Sequence, residues 1–328
     1  MTRREEGFVL VAMIWIIAIL AVVTLGFAHR SLLDQRAAAL ALDHSKAQYL
    51  ARGSVNYAVA DMRNKAFMEG LLAQARAQLH GTRGGFRARS VAPPAANVRL
   101  TDKAPNLIET GGMYSADSGG EGNTASYSVV DAEGRISVNT APEEVLDNIE
   151  GLGMRTVFAI MRRRGSELSP EERAPFLAIE ELRQLEDIDE DAWEGDDDSP
   201  GLRDLFTIHG DGRINVNTAS REVLAAIPDL DESTVDRIIG YRQGDDGKLG
   251  TGDDRQFRSL DTMSSDLEIN PTDLAPLARY CTFESHFFTI TGFATQRQGK
   301  VRAAAQAVVN IQPGSAVVLS WSEGEFGP

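Results

Sequence analysis

Hydrophobic and polar positions are distributed unevenly along this chain, and their distribution predicts its elements. Residues Phe8 to Ala28 form 21 consecutive uncharged positions rich in Val, Ile, Leu and Ala. As a helix rising about 1.5 Å per residue, such a block spans roughly 30 Å, the thickness of a bilayer core. No later segment approaches it, so the pattern predicts one membrane anchor over 8–28 carrying a large polar body. Beyond it, Arg30 to Leu79 contains no Pro and is dense in Ala, Leu, Gln and Arg, all good helix formers. The helix is therefore expected to continue over 29–80. Leu42, Ala47, Leu50, Tyr57 and Ala60 recur at helical intervals and predict one packing stripe.

After the helix, 80–126 is rich in Gly, Ser, Pro and Asn, which predicts loop with short strands at most. Tyr127 to Asp131 alternates as a strand, and Ala132-Glu-Gly134 turns it into Arg135-Ile-Ser-Val-Asn-Thr-Ala141. An internal repeat begins there. Arg135-Ile-Ser-Val-Asn-Thr-Ala-Pro-Glu-Glu-Val-Leu146 recurs as Arg213-Ile-Asn-Val-Asn-Thr-Ala-Ser-Arg-Glu-Val-Leu224, with nine of twelve positions identical at an offset of 78. Asn139/Thr140 and Asn217/Thr218 are the expected helix caps, with Pro142 early in the first turn. The continuations pair Val157, Ile160 and Arg163 with Val235, Ile238 and Arg242. Two helices joined by a tight turn, over 135–165 and again over 213–243, resemble a helix-hairpin-helix or SAM-like module. Helical pattern fills 139–280. The chain then returns to strands over 286–295 and 301–311, a polar turn joins them at Gln296-Arg-Gln-Gly-Lys300, and Val317 to Trp321 offers a third strand.

Charge narrows the function. Acids outnumber bases 48 to 33, a formal charge of −15, so most of the surface repels phosphate and general DNA binding is disfavoured. The helix-hairpin-helix resemblance nevertheless implies DNA, because that module grips phosphate with backbone N–H groups of a Gly-hydrophobic-Gly turn. The first copy keeps Gly151-Leu-Gly153 beside Arg155 and Arg162-Arg-Arg164; the second has Asp229 and Asp231 in their place, followed by Glu232. Residues 186–198 hold nine acids and no base, an exposed linker face by pattern. A membrane-anchored DNA receptor for transformation remains the alternative function, with protein interaction or a structural role favoured for both modules.

The N-terminus admits three readings: a signal peptide cut after Ala28 at the small-x-small site Gly26-Phe27-Ala28, a plain signal anchor, or a processed leader. The charged leader Met1-Thr-Arg-Arg-Glu-Glu6 stops at Gly7, and Phe8 opens the apolar run. This resembles a type IV prepilin leader, 1–7, which implies cleavage after Gly7 by prepilin peptidase and N-methylation of Phe8. Pilins carry Glu at the fifth mature position, whereas this chain has Ala12. A carboxylate inside a bilayer is costly unless paired, so a subunit with no neighbour above it is better without one. The leader, Ala12 and the repeated Asn-Thr-Ala pattern together resemble the K-type minor pseudopilins of type II secretion. That resemblance implies an α+β pseudopilin fold: a long N-terminal transmembrane helix packed on a small antiparallel sheet, interrupted by an all-α domain with two repeats. The implied division places the head at 81–134 and 281–328 and the inserted domain at 135–280. It further implies a tip subunit in the inner membrane with a periplasmic body, which starts the pseudopilus with the I and J minor pseudopilins and other pseudopilins. Nucleic acid is not an expected partner.

One loop has metal-binding character. Gly244-Asp-Asp-Gly-Lys-Leu-Gly-Thr-Gly-Asp-Asp254 alternates acids and glycines, and calcium takes oxygen ligands from such segments. Asp245, Asp246, Asp253 and Asp254 are the candidates, although no EF-hand register is present; a solvated acidic turn is the other reading. Nothing points to an enzyme. The chain has no Gly-x-Ser-x-Gly, P-loop or dinucleotide fingerprint. Its five His are scattered, and the single Cys281 beside Tyr280 reads as a small buried apolar residue.

Overall fold

The computed structural model describes residues 3–80, 107–113, 124–165, 174–185, 188–196 and 199–324. Helix α1 runs without interruption over Arg3–His80, so the apolar block and the segment after it are one rod. Its most apolar 18-residue stretch has mean hydropathy 2.8 and none of it is covered by the rest of the molecule. By length and composition it suffices to cross a membrane. Gly7 and Phe8 lie within its helical backbone, and their side chains fall outside the described residues.

Strands β1 (Leu107–Met113) and β2 (Thr124–Asp131) follow. The chain then leaves the sheet for a long excursion. This contains β3 (Ile136–Ser137), α2 (Glu143–Asp147), α3 (Met154–Arg164), a 3-10 turn over Ile179–Gln184, α4 (Glu190–Glu194), α5 (Leu202–Leu205) and β4 (Phe206–Thr207). It continues with β5 (Ile214–Asn215), α6 (Arg221–Ala225), α7 (Glu232–Arg242), α8 (Leu260–Leu267), α9 (Ala275–Tyr280) and β6 (Cys281–Thr282). The sheet resumes with β7 (Phe287–Gln296), β8 (Val301–Gln312) and β9 (Ser315–Gly324). Its order is β1-β2-β7-β8-β9, antiparallel throughout. β2 and β7 are neighbours although the whole helical body separates them in sequence, with Val129 opposite Ile290 and Asp131 opposite Phe288.

Period-two burial builds the sheet core. Ala125, Tyr127 and Val129 of β2, Ile290 and Ala294 of β7, and Ala303, Ala305, Ala307, Val309 and Ile311 of β8 face inward. Against them α1 buries Ala47, Ala51, Val55 and Ala58. Small side chains on both surfaces let the helix settle close. At Gly292 of β7, an added Cβ would lie 2.4 Å from the Ala51 carbonyl oxygen and 2.4 Å from Ser54 Oγ, closer than any contact tolerates. Ser54 is fully buried there and donates to Ala51 O at 2.8 Å. The packing stripe therefore differs in phase from the expected one. Ala47 lies in it and Leu50 is partly buried against it, but Leu42 and Tyr57 are exposed at 56% and 48%. The sheet selects residues that permit close approach rather than the largest apolar ones. Arg52 of α1 also pairs with Glu323 of β9 at 2.6 Å.

The helical body has a core of its own, from Ile136 through Leu146, Ile160, Phe176, Trp193, Phe206, Val216, Leu224, Ile238 and Phe257 to Cys281. It is not all-α. β3 pairs in parallel with β4, and β5 with β6, so two short ladders tie its ends. Its limits also lie outside the expected 135 and 280: the sheet ends at Asp131 and resumes at Phe287. The acidic run is not a linker over its described part. Asp189 caps α4 by accepting from Ala192 N at 2.8 Å, and Trp193 anchors that helix in the core at 4% exposure.

Candidate interaction site in the repeated helical body

The repeats are longer than their shared sequence. Each opens with a strand of two residues, turns through Asn-Thr-Ala, forms a five-residue and an eleven-residue helix, and closes with a strand that returns parallel to the first. The structural units are thus Ile136 to Thr207 and Ile214 to Thr282, where sequence identity marked only 135–165 and 213–243.

The repeated Asn is not a helix cap. Asn139 Nδ2 donates to Phe176 O and Ile208 O, both at 3.0 Å, while its Oδ1 accepts from Phe176 N at 2.8 Å. Asn217 repeats this, with Nδ2 donating to Phe257 O at 2.9 Å and Phe283 O at 3.1 Å and Oδ1 accepting from Phe257 N at 2.8 Å. One side-chain amide thereby fastens two distant backbone segments in each copy. The caps fall two or three residues later than expected. Ser220 accepts from Val223 N at 3.3 Å, and Pro142 takes the equivalent place without a side-chain bond.

A second repeated device involves arginine. Arg164 donates to Val138 O at 3.0 Å and also to Ala141 O, and Arg242 donates to Val216 O at 3.2 Å and Ala219 O at 2.6 Å. The partner of Arg242 across the repeat is thus Arg164, not Arg163. Arg163 instead stacks 4.1 Å over the Phe176 ring, where Tyr241 stacks on Phe257 at 4.4 Å in the second copy. Full burial pulls the Arg242 pKa down to about 10, still charged at neutral pH. The two copies also interlock. A Cβ on Gly134 would meet Thr218, and one on Gly212 would meet the Thr140 carbonyl oxygen at 2.5 Å.

The hairpin turns explain the Gly-to-Asp exchange. Gly151 has φ of 81°, and Asp229 at the same repeat position has φ of 60°. A left-handed residue is required there, which Gly supplies freely and Asp tolerates. Gly153 and Asp231 are the helix N-caps. Asp231 accepts from Thr234 N at 2.9 Å, Thr234 Oγ1 at 2.6 Å and Ser233 Oγ at 2.5 Å, and these donors lower its pKa to about 2. A fixed carboxylate therefore occupies the helix N-terminus where phosphate would bind, and the second hairpin is unsuited to DNA.

The acidic loop does not gather its carboxylates. Asp253 Oδ2 accepts from Asp245 N at 2.6 Å and Asp246 N at 3.1 Å, Asp254 Oδ2 accepts from Gly250 N at 2.8 Å, and Asp246 Oδ1 accepts from Lys248 N at 2.8 Å. Asp245 pairs with Arg255 at 2.6 Å. Among the described residues no group of three or more His, Cys, Asp or Glu is arranged to hold a metal ion. In this arrangement the four aspartates shape the loop through its backbone N–H groups and Arg255. Cys281 is buried in β6, and burial pushes its thiol pKa far up, which suits packing and not nucleophilic chemistry.

Sequence reasoning missed the junction between the two cores. Asp131, fully buried at the end of β2, accepts from Ser285 Oγ at 2.6 Å, Asn215 Nδ2 at 3.1 Å, Glu133 N at 2.8 Å and also Thr218 Oγ1. Glu133, also buried, accepts from the His286 and Phe287 backbone N–H groups. Burial raises both pKa values, that of Glu133 to about 7. No sequence periodicity marks these residues, because their partners lie about 80 and 150 positions away.

No curated protein matches the chain. Among solved structures, a chain of the GspK-GspI-GspJ complex from the enterotoxigenic Escherichia coli type 2 secretion system is similar with a TM-score of 0.46 and 12% identity, covering 70% of this chain and 88% of that one. Residues 214–278, which hold most of the second repeat, match the family model for type II secretion system protein K. Over those residues the chain is similar to that family.

Proposed function

We propose that this protein is a minor pseudopilin seated at the tip of the type II secretion pseudopilus, anchored in the inner membrane by α1 with its body in the periplasm. The observation that carries this reading is the continuity of α1. One 78-residue helix is apolar enough to cross a bilayer at one end and is packed on a five-stranded antiparallel sheet further along. The family match supports it. The sheet covers the face marked by Ala47, Ala51, Val55 and Ala58 and leaves Leu42, Tyr49 and Phe67 exposed. Those side chains are available to the helices of the I and J minor pseudopilins and of other pseudopilins, and the apolar run to lipid.

In this reading prepilin peptidase cuts between Gly7 and Phe8, and the freed Phe8 is N-methylated. Ala12 places no carboxylate in the bilayer, so the subunit needs no neighbour above it. The helical body between Asp131 and Phe287 adds bulk that blocks further stacking. The pseudopilus that this subunit starts and tips then pushes folded proteins through the outer-membrane channel. The role is mechanical, with no catalytic residue assigned. Mass spectrometry of the N-terminal peptide of the membrane-bound protein tests it. A peptide beginning at N-methylated Phe8 is expected, whereas a start at Met1 or at His29 overturns the reading.

Calcium in the loop 244–254 is a separate proposal, to which the present carboxylate arrangement gives no support. Binding requires Asp253 and Asp254 to exchange backbone N–H donors for the ion. Calorimetry of the full chain with calcium decides it: saturable heat lost in Asp253→Asn supports a site, and no heat removes it.

A further inference from the structure

Because the two repeats share the Asn and Arg hydrogen bonds that hold their interiors, the positions where they differ on the outside are informative. At the offset of 78, α7 carries Glu232, Ser233, Asp236 and Gly240 where α3 carries Met154, Arg155, Phe158 and Arg162. In the second copy all four positions are exposed, and Arg221 holds the carboxylates of Asp236 at 2.7 Å and Glu232 at 3.8 Å. The fold therefore does not need apolar side chains there. In the first copy Met154 is 85% exposed and Phe158 65% exposed. They stand four residues apart on one face of α3, so they adjoin.

Charge changes sign with hydrophobicity. Arg155 and Arg162 share that face, are exposed, and form no ion pair among the described residues. Glu143 of α2, at the position of Arg221, is the acid that the repeat places beside this face. From α7 to α3, two carboxylates give way to the large apolar Met154 and Phe158, and Ser233 and Gly240 give way to Arg155 and Arg162, on a chain of net charge −15. An exposed apolar pair rimmed by unpaired cations marks a binding surface rather than a solvated helix face.

We propose that the outer face of α3 is a docking surface for an acidic amphipathic segment of a partner protein, whose apolar side chains cover Met154 and Phe158 while its carboxylates meet Arg155 and Arg162. Nucleic acid would satisfy the arginines but leave the apolar pair wet. The chain's own residues 166–173, which leave the end of α3 and include Glu167, Leu168, Glu171 and Glu172, are the rival occupant.

The test uses the full chain in the membrane of secreting cells, with a photo-crosslinking benzoylphenylalanine in place of Phe158 and, as control, in place of Asp236. The expected adduct at 158 exceeds the control about fivefold and maps by mass spectrometry to a peptide of another protein carrying Asp or Glu beside apolar residues. Arg155→Ser with Arg162→Ala lowers its yield about fivefold, as loss of rim charges does. These changes leave the core of α3 intact, and Met154→Glu, which copies α7 beside the crosslinker, lowers the adduct yield further with an unchanged melting temperature. A yield no higher than the control overturns the proposal. So does an adduct to residues 166–173, to lipid or to nucleic acid, a partner peptide without acids, or a yield indifferent to the arginines.

Discussion

Asn217 shows how much one side chain holds. Its amide donates to two carbonyl oxygens and accepts one N–H, and all three belong to segments 40 or 66 residues away. The residue is 1% exposed, so water does not replace what substitution removes. Each buried backbone group left unpaired costs about 1–3 kcal/mol. Asn217→Ala is therefore expected to lower stability by on the order of 3 kcal/mol in a urea titration. Asn139→Ala, at the half-buried twin, costs less because solvent reaches the orphaned groups. Equal losses in the two variants would refute this account of burial. The same comparison explains why the repeated Asn reads as a cap from sequence. Asn before a helix is a cap by residue type, and only the three-dimensional return of Phe257 and Phe283 reveals its other use.

At the scale of elements, the helix–sheet contact depends on smallness. Ala51 lies against Gly292, and Ala303, Ala305 and Ala307 line the facing strand. Ala51→Leu has no space to enter and is expected to cost about 1–3 kcal/mol by overpacking, measured as a drop in the thermal midpoint of the full chain in detergent. Leu42→Ala, at an exposed position of the same helix, is expected to leave that midpoint unchanged. This contrast also marks what the sequence made legible. Alternation over Tyr127 to Asp131 and over 286–311 announced β2, β7 and β8, and the absence of Pro before Leu79 announced the rod. The phase of the packing stripe was hidden because most of α1 is exposed among the described residues, so its large apolar residues there obey no packing constraint from the sheet. The second halves of the repeats were hidden too. Phe176 and Phe257 are 81 residues apart and Phe206 and Cys281 are 75 apart, so loops of unequal length broke the register that Asn-Thr-Ala had set.

At the scale of the whole molecule, two cores meet at a pair of buried carboxylates. Asp131 closes the last turn of β2 toward Asn215, Thr218 and Ser285, and Glu133 binds the backbone where β7 begins. The helical body is thus fixed to the sheet through acids that water scarcely reaches. Burial raises the Glu133 pKa from 4.5 to about 7, and the nearby Asp131 and Asp211 charges add to the rise. An acid whose pKa is raised on folding binds its proton more tightly in the folded state. Its contribution is complete below about 4.5 and is lost as pH climbs through about 7, a window worth on the order of 1–3 kcal/mol. The expected result is a melting temperature that falls between pH 5 and pH 7.5. Glu133→Gln keeps an acceptor for the His286 N–H and cannot ionise, so its melting temperature should be nearly flat across the same range and exceed that of the native chain at the upper end. A variant that follows the native pH profile would mean that the junction holds its charge without cost, and the coupling between the two cores would then rest on Asp131.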